Sequence, residues 1–377
     1  MSQVSVIIPV YNAGGKLHQC LRSVLRQTVA AIEVILVNDG STDDSRAICA
    51  EYASKDSRVR FVEQARSGSI AARRKGAELA TSPYIAFVDA DDWLDEAMLD
   101  RLLGIADVHG ADIAVCNTYR VLDSSAWIKR SNTSSYFRQQ TVYRGEDIKA
   151  GLVPSFLHGH AFPAYLHGKL YRRELVLSCG TYLEPFTFFG DDLYYNLEMF
   201  LQASTVVVIP EPLYYYRAGG LTSRYMPELV QDAVAGYRVQ RMVINAHYPE
   251  DEREAHLIGI NLMLLNTLRT YLKNLYLSKL TQEERRSSIA AMCRLPEVIG
   301  SVNHEPSARR IRLRFVNAVR KGDIAYLDRE GRRQFRKSLL RNWMIVTLST
   351  FDSKKFDKLR SNLSNSGDTK RQHLRSR

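Results

Sequence analysis

Three carboxylates fall within four residues in the run Phe87-Val88-Asp89-Ala90-Asp91-Asp92-Trp93. The apolar residues before it, 84–88, read as a strand that stops at Asp89. In extended backbone Asp89 and Asp91 then point the same way. Carboxylates so grouped repel one another unless a cation or hydrogen-bond donors compensate. Mg2+ and Mn2+ take one or two carboxylates and fill their remaining positions with phosphate oxygens and water, so the run suits a metal that grips a diphosphate. The competing reading is an acidic helix start near Trp93, with Asp92 and Asp95 capping and charging its first turn. A second acidic pair, Asp191-Asp192, stands between Phe188-Phe189-Gly190 and Leu193-Tyr194. A carboxyl among aromatic rings and beside another carboxyl holds its proton more tightly, which suits abstraction of a proton from a hydroxyl. The same residues fit a helix N-cap, and both roles can coexist. His158, His160 and His167 are loosely spaced, each beside Gly or Leu, and read as ordinary histidines before they read as metal ligands.

Residues that do such chemistry have to be carried by regular elements, and the first hundred positions alternate strand and helix. Residues 4–10 form a continuous apolar, β-branched run, as in a strand buried on both faces. Leu17, Leu21, Val24 and Leu25 recur at helical spacing. A second strand, 32–37, ends at Asn38-Asp39-Gly40-Ser41-Thr42, where Thr42 or Asp43 can cap the next helix. That helix runs to about residue 54, followed by a strand at 58–62, a helix at 70–80 and the strand at 84–88. This order predicts a doubly wound, mostly parallel α/β sheet flanked by helices. Such sheets bind ligands at the carboxyl ends of their strands, where the strand order reverses, and Asp39 and Asp89 both fall on that edge.

Four motifs in this order resemble the family-2 glycosyltransferases of the GT-A fold. They are Val4-Ser5-Val6-Ile7-Ile8-Pro9-Val10-Tyr11-Asn12, Val37-Asn38-Asp39-Gly40-Ser41-Thr42-Asp43, Ala72-Arg73 and Asp89-Ala90-Asp91-Asp92. The match is firm to about residue 120 and looser to about 220. The resemblance implies that Pro9, Val10, Tyr11, Asp39, Arg73, Asp89 and Ala90 bind the donor. Tyr11 would lie against the base and Asp39 would accept its imide N–H, which favours uracil or thymine over cytosine. Arg73 would lie near the nucleotide end, Asp89 on the ribose, and Asp91 would hold Mn2+ or Mg2+ against the diphosphate. Aligned in the same way, Asp192 takes the role of general base and Asp191 supports it, although either Asp can occupy that position. Lys169, in His167-Gly168-Lys169-Leu170-Tyr171, and Arg217, in Tyr214-Tyr215-Tyr216-Arg217, fall in similar segments on the acceptor side. The chain departs from the pattern twice: Arg74 follows Arg73 where the family often has Asn, and Asp191 stands where Glu is usual. One base and no evident nucleophile imply a single displacement with inversion, so that a UDP-α-sugar yields a β-linkage.

The remaining composition bounds the surroundings of this site. Five scattered cysteines contain no CxxC pair, which argues against a disulfide scaffold or zinc ribbon and for a reducing compartment. Residue 4 begins a strand with no basic segment before it, so no signal peptide is expected and the location reads as cytoplasmic. The apolar stretch 257–277 is broken by Asn261, Asn266, Arg269 and Lys273, which reads as a buried or amphipathic helix. The formal charge of +11 is uneven: residues 305–377 hold 20 Lys/Arg against 7 Asp/Glu, and the rest 32 against 34. These features divide the chain into a catalytic domain (1–220), a helical region (221–340) and a basic, partly disordered tail (341–377). The segment 332–346 is basic and apolar at helical spacing. It can lie on an anionic membrane face or pack on the catalytic domain. The expected partners are a nucleotide-sugar donor and a saccharide or lipid-linked acceptor, as in capsule, wall or lipopolysaccharide assembly, with peripheral attachment to the inner membrane face. Two other classes fit less well. A nucleotidyltransferase needs a Gly-rich basic loop, for which Asn12-Ala13-Gly14-Gly15-Lys16 is a faint match. A nucleic-acid binder would use the basic tail, but the segment lacks a binding module and the core is near neutral.

Overall fold

The computed structural model describes residues 2–121, 129–159, 162–186, 190–217 and 225–340. The chain opens as β1 (Val4–Val10), α1 (Lys16–Leu25), β2 (Ile32–Asp39), α2 (Ser45–Lys55), β3 (Val59–Gln64), α3 (Ser69–Leu79) and β4 (Tyr84–Phe87). These strands pair in parallel in the order β3-β2-β1-β4. The order reverses between β1 and β4, so a crevice opens above their carboxyl ends. β1 and β2 are buried on both faces, in keeping with their unbroken Val/Ile/Leu content. A Cβ at Gly76 would stand 2.4 Å from Ile7 Cγ2, so α3 presses directly on β1 and holds Arg73, one turn earlier, over the crevice.

The second half of the sheet is mixed. After β5 (Trp93–Leu94) and α4 (Met98–His109) come β6 (Ile113–Val121), β7 (Lys129–Ser131), β8 (Thr141–Arg144), α5 (Glu146–Gly151) and α6 (Val153–His158). β9 (Lys169–Arg172), α7 (Arg173–Ser178), α8 (Asp191–Gln202) and β10 (Thr205–Arg217) complete it. The full order is β3-β2-β1-β4-β9-β6-β10-β5, with β7 beside β6 and β8 beside β10. β9 runs antiparallel between β4 and β6, whereas the long β6–β10 pairing is parallel. The sheet is thus GT-A-like and mostly parallel by paired length. The helix of the competing reading, starting near Trp93, does not form. Trp93 and Leu94 pair with β10, and α4 starts only at Met98. The acidic run is therefore a strand-to-strand loop.

Beyond β10 the described chain is helical: α9 (Leu229–His247), α10 (Glu250–Asn274), α11 (Gln282–Cys293), α12 (Pro296–Asn303), α13 (Glu305–Ala308), α14 (Leu313–Lys321) and a helix over 324–340. α10 contains most of the interrupted apolar stretch and buries His256, Ile260, Asn261, Leu264, Leu265 and Leu268, so it is a core helix. No helix among the described residues is long and apolar enough to cross a membrane. Phe87, Phe156, Phe200, Leu265 and Phe315 belong to one buried cluster, so the helical region shares a core with one face of the sheet. A separate cluster fills the other face beneath α1, α2 and α4. α9 packs so closely on α8 that a Cβ at Gly236 would stand 1.8 Å from Tyr194 Oη. The five cysteines are buried and unbridged. In the basic segment Phe335 stacks on Tyr276 at 6.0 Å, while Leu339 and Leu340 are exposed. Residues 341–346 of that segment, and the tail as a whole, lie outside the described residues.

Candidate functional site

The carboxyl edge of β1, β2 and β3 forms one wall. Pro9 and Val10 end β1, and Tyr11 follows with its ring partly open. Asn12 adopts φ 48° and ties this exit to the next: its Oδ1 accepts from Thr42 N–H at 2.8 Å, and its own N–H donates to Ser41 Oγ. Asp39 is 2% exposed at the end of β2. Its Oδ1 accepts from Gln64 Nε2 (2.8 Å) and Ser67 N–H (2.7 Å), and its Oδ2 from Arg66 Nη1 and Gly68 N–H (both 2.9 Å). The Arg66 guanidinium lies over the Tyr11 ring, 3.2 Å from its centre. Sequence reasoning missed Arg66; its position just past the carboxyl end of β3 was the available signal.

The acidic loop forms the floor. Asp91 is open to solvent, 3.6 Å from Lys16 Nζ. Asp92 is buried: its Oδ1 accepts from Arg217 N–H (2.7 Å) and its Oδ2 from Tyr214 O–H (2.9 Å). Burial, then the Asp89 charge, push the Asp92 carboxyl well above the ordinary range. The Tyr214 oxygen accepts in turn from Asp89 N–H at 3.2 Å. Arg217 also donates from Nε to Asp91 O and from Nη2 to Gln19 Oε1. Arg217, expected on the acceptor side, thus clamps the acidic loop. Ala90 is buried within it.

His167 reaches this loop from below, between the rings of Tyr165 (3.8 Å) and Tyr214 (4.3 Å). One ligand atom each from Asp89, Asp92 and His167 lie within 4.8 Å of one another. Burial, helped by Lys169 and Arg73, pushes the His167 ring well below its usual pKa and keeps it neutral. Its Nδ1 has no hydrogen-bond partner. Two carboxyl groups and one neutral imidazole with an unsatisfied ring nitrogen are a donor set that fits a small divalent cation. The three histidines of the sequence are not gathered together: His158 pairs with His256 at 3.0 Å, and His160 lies outside the described residues.

Arg73 joins the floor to the opposite wall. It is 6% exposed and donates from Nη2 to Asp89 Oδ1 (2.7 Å) and from Nη1 to Asp192 Oδ1 (2.9 Å). It therefore sits at the junction of loop and α8, not only at the nucleotide end. Asp192, on the first turn of α8, also accepts from Leu166 N–H at 3.4 Å through Oδ2. Of the aromatic neighbours expected around it, Tyr194 packs under α9, and Phe188 and Phe189 lie outside the described residues. The Arg73 guanidinium is its charged partner. The Asp191 side chain lies outside the described residues. Lys169, expected at the acceptor side, is fully enclosed; its Nζ donates to Pro163 O and Tyr165 O, and burial pulls its pKa down to about 7.

A doubly wound sheet with Tyr11 and Asp39 at its switch point, and carboxylates from the loop after β4 and from α8 bonded to one arginine, is a GT-A arrangement. The family model for glycosyl transferase family 2 matches residues 5–176. Glycosyltransferase GlyG of Streptococcus pneumoniae is 32% identical over 217 residues, 57% of this chain and 70% of that protein. The uncharacterized glycosyltransferase EpsJ of Bacillus subtilis is 36% identical over 57% of this chain and 60% of its own length. The match covers 36% of the length of GlyA, also of S. pneumoniae. Among solved structures, S. aureus TarS 1–349 in complex with UDP superposes with TM-score 0.61 over 88% of this chain and 92% of that one, at 19% identity. The chain belongs to glycosyl transferase family 2.

Proposed function

We propose that this protein transfers a sugar from a UDP- or dTDP-sugar, with inversion, to a saccharide or lipid-linked saccharide in surface polysaccharide assembly. The observation that carries this reading is the Arg73 bridge, which puts Asp192 one guanidinium away from the acidic loop. The base stacks on Tyr11 with its imide N–H on Asp39, and the diphosphate runs over the loop. Asp91 would hold Mg2+ or Mn2+ against the diphosphate, and Asp89, Asp92 and His167 would offer further donor atoms. A bound divalent cation supplies charge stabilisation to the departing diphosphate. The acceptor hydroxyl attacks the anomeric carbon, its proton passes to Asp192, and the bond from that carbon to the β-phosphate oxygen breaks. Charge then resides on the released nucleoside diphosphate. The UDP complex of TarS agrees with a uridine donor. An NMR spectrum of the product with retained configuration would refute inversion.

Thermal melting with UDP, dTDP, GDP or CDP, each with Mn2+, Mg2+ or chelator, tests the donor site. At about a hundred times Kd, a ligand that binds only the native state adds about 2.7 kcal/mol. UDP or dTDP with metal is expected to raise Tm, and Asp91→Ala to abolish the metal-dependent part. A cooperative melt that no nucleotide moves would overturn the reading.

The acceptor side carries a further expectation. Arg336 and Lys337 are exposed beside Leu339 and Leu340, a basic and apolar face fit for anionic lipid. Each cation near such a surface contributes about 1 kcal/mol. Arg336→Glu with Lys337→Glu is therefore expected to lower flotation with phosphatidylserine vesicles by about tenfold or more; unchanged flotation would sink the membrane reading.

A further inference from the structure

The Arg66 side chain makes two contacts at the wall formed by Tyr11 and Asp39. Its flat guanidinium stacks on the Tyr11 ring at 3.2 Å, and its Nη1–H donates to Asp39 Oδ2 at 2.9 Å. A uracil or thymine bound there would present the same pair of features, a planar π-face for Tyr11 and one N–H for Asp39. We propose that Arg66 is a stand-in for the nucleobase, occupying the base site of the free protein and leaving it when the donor arrives. This rests on the reading of Tyr11 and Asp39 as the base site.

The geometry makes the exchange local. Asp39 accepts four hydrogen bonds, and two come from the backbone N–H groups of Ser67 and Gly68 and one from Gln64. Those three can persist while the Arg66 bond is replaced by the imide N–H. The backbone of residue 66 is pinned, since a Cβ on Gly40 would meet Arg66 N at 3.1 Å. The side chain is 45% exposed, whereas the Asp39 carboxylate it caps is 3% exposed, so the arginine has solvent to swing into and the carboxylate stays put. The stand-in keeps a buried charge partnered when no base is present.

A contact made only in the free state weakens ligand binding by its own strength, because the ligand has to displace it. The contacts are half-exposed, so their removal is expected to tighten binding by about three- to tenfold. The test compares wild type with Arg66→Ala by calorimetry, using UDP and uncharged uridine at about 0.3 M salt, where longer-range attraction is screened. Because the stand-in overlaps the base alone, both ligands are expected to gain by the same factor. The unliganded Tm of the variant is expected to fall while its UDP-saturated Tm stays near that of wild type, which shows that the variant folds. Weaker or unchanged uridine binding by a variant that still melts cooperatively would overturn the stand-in while wild-type UDP binding leaves the donor site standing. If neither protein binds any nucleotide, both proposals fall together.

Discussion

Asp192→Asn is expected to lower turnover by about 10²- to 10⁴-fold while UDP affinity changes little. The asymmetry follows from what the side chain touches. Asp192 accepts from Arg73 Nη1 and Leu166 N–H, whereas Asp39 at the wall accepts from Gln64, Arg66, Ser67 and Gly68. An Asn at this position keeps the shape and can still accept from Arg73 through its amide oxygen. It loses the negative charge that takes the acceptor proton, so kcat should fall and KM for the donor should hardly move. Single-turnover rates with UDP-sugar and acceptor, alongside nucleotide calorimetry, separate the two quantities. Wild-type turnover in Asp192→Asn would remove this residue from the base role and direct attention to Asp191.

Arg73→Met is expected to damage both activity and stability, for one electrostatic reason. The guanidinium holds Asp89 and Asp192 on separate Nη atoms, each within 3 Å. Without it two carboxylates face each other across the gap, close to Asp91 and Asp92. Breaking a fully buried ion pair costs about 3–5 kcal/mol, and the roughly quarter-exposed carboxylates here reduce that to about 2 kcal/mol. Turnover should fall by about 10²-fold or more, since loop and base lose their common anchor. Arg73→Lys is the informative companion. An ammonium is a point charge without the fork, so it should recover much of the lost Tm and little of the activity. A Lys variant with wild-type activity would show that charge alone suffices.

The parallel half of the sheet was legible because β1 and β2 are apolar, β-branched runs ending at turns, and α1 between them has a periodic apolar face. Those local signals agree with the tertiary packing, and the expected ends of β1 to β4 fall within two residues of the observed ones. At the acidic loop the competing helix-start reading fails: Asp92 and Asp95 look like helix-start residues, but β10 claims Trp93 and Leu94 as an edge. That pairing joins residues more than a hundred positions apart, and no local window contains it. Nor does a local window contain the pairings of β9, four residues inserted antiparallel between β4 and β6. At the site, strand ends drew attention to Asp39 and Asp89. Arg66 was missed, His167 was read as an ordinary histidine and Tyr214 only as part of a segment, because their meaning depends on which residues face them. Lys169 and Arg217 were assigned by position in a segment, and only burial and hydrogen bonding reveal that one is enclosed and the other braces the loop.

The contact between Gly236 and Tyr194 has a consequence for inheritance. Tyr194 lies two residues beyond Asp192 on α8, and α9 presses on its hydroxyl so closely that any side chain at residue 236 would have to push the helix away. The family model ends at residue 176, before either helix begins. The donor wall lies inside the span of the family model, while the seat of Asp192 depends on two helices beyond it. With the roles proposed above, a mutation in α9 would move the seat of Asp192 without touching Tyr11, Asp39 or Arg66. Acceptor range and donor choice would then be separately mutable traits of one molecule.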